Sequence, residues 1–283
     1  MRIVKNVGEL DKMETIINFG IPHIAEEIFR NLTIPTLIQC RSVSATWKAL
    51  VKNVLDSKWR ETLIYSCKVG NTEMVQLIIE TAKAKNQDWT LETLKDNGLT
   101  LAMLACQKGH TEVVKLLINQ NLNWNMKDPY GKTAFTFACS NNHLGIIQLI
   151  LDQAQNKSID WNAKDLSGRT AFMWACFNGQ KQVVETILKH SNFHEINLKD
   201  QDFIGRTPFM LACHNGQTDV VQLLINYLRI RRSRRRRRSV NLRIKENIQI
   251  MVNMKDHFGR TAMNLARGNG HIDVEMLLLK LCE

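Results

Sequence analysis

Residues Lys164 to Leu188 read KDLSGRTAFMWACFNGQKQVVETIL, and the chain repeats this pattern. Altered copies run from Lys95 to Leu117, Lys127 to Leu149, Lys199 to Leu224 and Lys255 to Leu278. Each carries a turn signal, a Gly, a residue that is usually basic, a Thr and a short apolar segment ending in Ala. A break and a second apolar segment follow. The alanines at 105, 138, 175, 212 and 266 form one column, at spacings of 33, 37, 37 and 54 residues. Self-similarity at such a period marks a repeat array, which buries its core by stacking units.

In this copy Thr170 stands where a hydroxyl caps a helix start. Phe172, Ala175 and Cys176 fall at i, i+3 and i+4, one face of an inner helix. Gly179 ends that helix, a place that favours the left-handed conformation. Gly70, Gly109, Gly216 and Gly270 share its position, and Asn142 replaces it in one copy. Val183, Val184, Ile187 and Leu188 supply the buried face of an outer helix. Ahead of each pair an Asp and a Gly, spaced as KDxxG in three copies, mark a tight turn. The array thus predicts an all-α solenoid of helix pairs joined by hairpin loops. The first copy, from Trp59, has Cys67, Gly70, Met74 and Val75 in register, but Glu61 replaces the Thr and no hairpin precedes it. In the last copy Asn264, Arg267 and Glu275 place polarity where inner copies are mostly apolar, as expected of a solvent-facing end. Trp124 and Trp161 end successive copies. Their indoles are expected to cover the helix-to-hairpin junction; stacking on nucleic-acid bases is the alternative.

At 44% hydrophobic over 283 residues the chain can bury a core. It has no run of about 18 apolar residues, so no membrane span is expected. Residues 1–18 form a leader, broken by charges and without the apolar centre of a secretory signal. A cytoplasmic or nuclear location, or both, is expected. Of seven cysteines, Cys106, Cys139, Cys176 and Cys213 directly follow the column alanines, and Cys67 holds the equivalent place in the first copy. Stacked layers about 10 Å apart put such residues too far apart for a disulfide, and no CxxC pair suggests zinc. They are read as small, buried and reduced. His190 and His194 are read as solvated residues of a polar inter-repeat segment. No nucleophile, phosphate-binding loop or metal constellation is present, so neither catalysis nor a cofactor is expected.

The net charge of +11 is mostly local: Arg229 to Ser239, RIRRSRRRRRS, contains eight arginines, leaving +3 elsewhere. Arg231, Arg232 and Arg234, Arg235, Arg236, Arg237, Arg238 make a self-repelling run in a basic insertion at 229–250, after an outer helix expected to end near Tyr227. Ordered structure is not expected there. The run reads as an importin-recognised nuclear signal, a contact for nucleic acid or acidic protein, or an inert insertion.

The repeat, hairpin loop, helix, turn and helix over about 33 residues, resembles the ankyrin repeat, in about six units across 59–283. The family's Thr-Pro-Leu-His segment appears as TLAM, TAFT, TAFM, TPFM and TAMN, so its His is absent. Met and Phe are expected to offset the lost hydrogen bonds with apolar contacts. The resemblance places the residues after the hairpin glycines, Lys132, Arg169, Arg206 and Arg260, beside the concave groove where ankyrin ligands bind. Tyr130, Leu166, Phe203 and Phe258, just before those glycines, are its fingertip residues. These eight are the expected partner-binding row, a mildly basic surface with apolar, largely aromatic tips that suits an acidic or phosphorylated segment.

Residues 19–58 have two short apolar sets broken at Pro35. Ile21-Pro22, Ile28-Phe29, Leu32, Leu37, Val43-Ser44 and Trp47 occur in the order and near-spacing of an F-box, with Ile24 on the same face as Ile28. One residue is missing between Pro22 and Ile28 relative to the commonest form, but GIPHIAEEI is similar to the variant in beta-transducin-repeat-containing F-box proteins. The F-box resemblance implies docking on a Skp adaptor of a cullin ubiquitin ligase, with Ile21, Pro22, Ile24, Ile28, Phe29, Leu32, Leu37, Val43 and Trp47 as adaptor-binding residues. Together the resemblances imply a monomeric, non-catalytic substrate receptor of an SCF-type (Skp–cullin–F-box) ligase, its repeats holding an unidentified target protein. The alternative is an ankyrin scaffold or inhibitor acting by occupancy, with no ligase role.

Overall fold

In the computed structural model the described residues are 58–84, 95–120, 122–157, 159–190, 197–233 and 248–282. The F-box-like stretch lies outside them except for Lys58, as do Arg234 to Arg238. The chain forms two compact units, Met1–Thr90 and Leu91–Glu283. In the first, α1 (Trp59–Val69) turns at Gly70, whose φ of 79° lets its N–H reach the Ser66 carbonyl at 2.9 Å. Asn71 then caps α2 (Thr72–Ala84) by accepting from the Met74 N–H. Leu63, Cys67, Met74 and Val75 are fully buried.

The second unit opens with a two-residue hairpin, β1 (Lys95–Asp96) and β2 (Leu99–Thr100), paired antiparallel with Lys95 opposite Thr100. Among the described residues five helix pairs follow. The inner helices are α3 (Leu101–Lys108), α5 (Ala134–Ser140), α7 (Ala171–Phe177), α9 (Pro208–His214) and α11 (Ala262–Gly268). The outer ones are α4 (Thr111–Ile118), α6 (Leu144–Lys157), α8 (Lys181–His190), α10 (Thr218–Ser233) and α12 (Ile272–Cys282). Inner helices pack on inner and outer on outer. A small residue at the centre of each inner helix lets the layers meet: Ala105, Ala138, Ala175, Ala212 and Ala266 have no exposed surface.

Each inner helix starts at the expected threonine. Thr100, Thr133, Thr170, Thr207 and Thr261 are extended, and each hydroxyl accepts the backbone N–H three residues on. Such a cap contributes about 1 kcal/mol. The position of the family's missing His closes this box in four of five repeats. Met103 Sδ, Thr136 Oγ1, Met210 Sδ and Asn264 Oδ1 accept the N–H of the capping Thr.

The turn after each inner helix is left-handed, and Asn142 takes a φ of 63° where the other copies use Gly. The residue after it ties the layers together. His143 Nε2 donates to the Gln107 carbonyl at 3.2 Å, Gln180 Nε2 to Ser140 at 2.8 Å, Gln217 Nε2 to Phe177 at 3.5 Å and His271 Nε2 to His214 at 3.0 Å. Each bond runs to the preceding repeat and satisfies a carbonyl that the inner helix end leaves open. The sequence carried a signal for this ladder, because the position is His or Gln in every copy after the first.

Cys67, Cys106, Cys139, Cys176 and Cys213 are buried free thiols. Burial pushes Cys67 up to about 12 and raises the other four as well, so the reactive thiolate is suppressed. Trp124 is buried and Trp161 half-buried.

Three expectations are corrected. The outer helix α10 runs past Tyr227 to Ser233, so Arg229, Arg231 and Arg232 are helical. No Gly or Pro stops it, arginine is a good helix former, and cations at a helix C-terminus oppose its negative dipole end. At the far side of the insertion, residues 248–253 are helical with Ile248, Met251 and Val252 buried. His190 ends α8, half-buried, with Nδ1 donating to the Thr186 carbonyl and Nε2 3.4 Å from Asp152; it is not a loop residue. The last repeat is polar on α11, where Arg267 pairs with Glu275 at 2.6 Å, but α12 exposes Ile272, Met276 and Leu279. Leu279 occupies the column of Ile118, Leu151, Leu188 and Ile225, which the neighbouring outer helices bury.

Among the described residues no helix is long and apolar enough to cross a membrane, and no group of acidic, His and Cys side chains could hold a metal ion.

Candidate functional site

An aspartate organises each hairpin of the last four repeats. Asp128, Asp165, Asp202 and Asp256 are buried, and each Oδ1 accepts two backbone N–H groups, two and four residues on, at 2.7–3.0 Å. The carboxylate closes the turn from inside, so the two residues between Asp and Gly must project outward. Successive turns are stitched by backbone bonds. Leu166 N–H donates to the Tyr130 carbonyl, Phe203 to Ser167 and His257 to Ile204, all at 2.9–3.0 Å. A Cβ on Gly168 would lie 2.8 Å from the Phe203 nitrogen, so this approach excludes any larger residue. Pro129, which has no N–H to donate, occupies the equivalent place after the shorter first hairpin.

The expected partner row divides in two. Tyr130, Leu166, Phe203 and Phe258 are 71%, 68%, 67% and 71% exposed, one tip per repeat. The cations behave differently. The Arg206 side chain is only 10% exposed, and its Nε and Nη2 lie 3.1 and 3.0 Å from Asp202 Oδ2. Arg169, 11% exposed, reaches the same oxygen at 3.4 Å from the repeat before. Arg169 also lies 4.8 Å from the Trp174 ring centre and 4.7 Å from Phe177. Lys132 Nζ sits 4.4 Å above Trp174. Arg260 pairs with Asp256 at 2.8 Å and remains nearly half exposed.

Sequence reading missed Trp174. Half-buried on α7, it donates its indole N–H to Asp165 Oδ2 at 2.7 Å and meets Phe177 edge to face. A Trp where the other inner helices have Leu or Phe was the available signal.

Burial, then repulsion from Arg206, pulls the Arg169 guanidinium below its usual range despite Asp202 and Asp165. Burial disfavours the Asp256 carboxylate, but hydrogen bonds from the Arg260 and Phe258 backbone and the Arg260 guanidinium outweigh it, and its pKa falls. His214 is held below the ordinary histidine range by burial first, then by Arg206, Arg260, His271 and Arg169. Its Nδ1 accepts from Asn269 Nδ2 at 2.8 Å, a bond that only the unprotonated nitrogen can make. A depressed folded pKa means the unfolded chain binds the extra proton first. The contribution of His214 to stability is therefore complete above the unfolded value, about 6.5, and is lost as pH falls through the folded value. Melting followed from pH 8 to pH 5 is expected to show a fall that His214→Gln reduces. An unchanged pH slope in that variant would contradict the assignment.

The ankyrin-repeat profile matches residues 63–165 and 156–236, more than half of the chain, and an F-box domain profile matches 21–58. The expected adaptor-binding residues, Ile21 to Trp47, fall within that match and outside the described residues. A Plasmodium falciparum protein named "Putative E3 ubiquitin-protein ligase" is 32% identical over 111 residues. The match spans 36% of this chain and 1% of that much longer protein. Threonine caps, hairpin aspartates and paired helices are thus those of a known repeat, and the chain belongs to the ankyrin-repeat family, with an F-box domain ahead of the repeats.

Proposed function

We propose that the protein is a non-catalytic substrate receptor of an SCF-type ubiquitin ligase. The observation that carries this reading is the F-box match at 21–58 ahead of a repeat array with an outward row of apolar tips. The F-box would engage a Skp-type adaptor through Ile21, Pro22, Ile28, Phe29 and their neighbours. The tips would hold the target protein, and ubiquitin transfer would fall to other subunits. Its contribution is effective concentration and orientation rather than bond chemistry. The name borne by the Plasmodium protein supports the same reading.

Affinity purification with degradation blocked tests both halves. Ile28→Asp with Phe29→Asp is expected to abolish adaptor recovery while the target stays bound. Tyr130→Ser, Leu166→Ser and Phe203→Ser together should lose the target and keep the adaptor. The three tips are largely exposed, so each change should alter stability by less than about 0.5 kcal/mol. No adaptor with the unaltered chain would exclude the receptor role and favour a scaffold acting by occupancy.

A further inference from the structure

The tips account for apolar contact but not for the cations beside them. Lys132 has Trp174 under its ammonium group and no carboxylate partner among the described residues. Arg169 touches one carboxylate, at 3.4 Å, and that oxygen is held more closely by Arg206. The other oxygen of Asp202 accepts the Ile204 and Arg206 backbone N–H groups. Asp165, the other nearby acid, is buried and occupied by Ser167, Arg169 and Trp174 N–H donors. Two cations from successive repeats are thus held against one indole, the first of them without an ion pair among the described residues. Trp174 cannot swing away, because its N–H is anchored. Tyr130 and Leu166 project from the same two hairpins.

We propose that Lys132, Arg169 and Trp174 form a receptor for an anionic side chain, a carboxylate or a phosphoserine, carried by the target segment that the tips hold. The proposal rests on the target-holding role above and specifies its chemistry. An anion reaching Lys132 would gain a charge-assisted contact to an ammonium group that the indole already positions.

The test uses the full chain and a fluorescent octa-glutamate peptide, with binding read by anisotropy. The arginine run is a second cation source, so each measurement is repeated with Arg234, Arg235, Arg236, Arg237 and Arg238 changed to Ser. In both backgrounds Lys132→Glu is expected to weaken binding by about tenfold or more, and Lys132→Arg to preserve it. Lys181→Glu makes the same charge change on outer helix α8 and should stay within about twofold. A phosphoserine peptide of matched length identifies the source of the anion: tighter binding through Lys132 means phosphate, weaker binding means carboxylate. Undiminished octa-glutamate binding by Lys132→Glu, or equal binding of octa-glutamine, overturns the proposal. So does oligothymidylate binding more tightly than either peptide through Lys132, which would make the site a nucleic-acid contact. None of these measurements needs the adaptor. Anion binding without adaptor recovery would sink the ligase reading alone, and adaptor recovery without anion binding would sink this one.

Discussion

Phe209→Ala is expected to lower stability by about 3–5 kcal/mol, the usual loss when a buried phenylalanine is truncated. Phe209 lies directly after the N-terminal Pro208 of α9 with almost no exposed surface, and α9 packs against both α7 and α11. In a repeat array each unit touches only its neighbours, so a cavity here weakens two interfaces and distant repeats cannot compensate. Urea unfolding followed by circular dichroism measures it. Phe203→Ala, six residues earlier at a hairpin tip, is the control and should move the midpoint by no more than about 0.5 kcal/mol. Similar losses from the two variants would contradict the packing described here.

Asp202→Ala should cost a comparable amount, about 3–5 kcal/mol, by a different mechanism. The Asp202 side chain is 1% exposed and holds Arg206, Arg169 and two backbone N–H groups. Removing it strands a buried guanidinium, which costs far more than the net worth of the pair. Adding Arg206→Met to Asp202→Ala is therefore expected to recover part of the loss, because the uncompensated charge goes with it. Additive losses in this double-mutant cycle would show that the two side chains do not act as a pair.

Much of this architecture was legible because it is local or periodic. The capping threonines, the column alanines and cysteines, the turn glycines and Asn142 depend on neighbours within about four residues, and five copies exposed the pattern. The exposure of Tyr130, Leu166, Phe203 and Phe258 was legible for the same reason, since a tight turn must project its central residues. The role of the basic column was not. Arg206 looked like a surface cation in sequence, although the acid that pairs with it lies only four residues away at Asp202. Arg169 is held by that same acid from the next repeat, a partner that alignment in columns conceals. Lys132 and Trp174 meet only because consecutive repeats stack. The helical arginines beyond Tyr227 were not legible from charge repulsion alone, which helix propensity and the favourable helix dipole oppose.

By itself, then, the sequence determined the repeat unit, its caps and turns, its buried column and the F-box ahead of it. The repeat features follow from short-range backbone preferences and the spacing of apolar residues, and the F-box from its resemblance to a known motif. Only the tertiary structure decided which cations are buried in the stack and which stay more exposed. That choice rests on burial and on bonds between residues more than thirty positions apart, which stacking alone brings into reach. The Lys164–Leu188 repeat displays both: Thr170 and Gly179 could be assigned from their neighbours, whereas Arg169 and Trp174 acquired their roles from Lys132 on one side and Asp202 on the other.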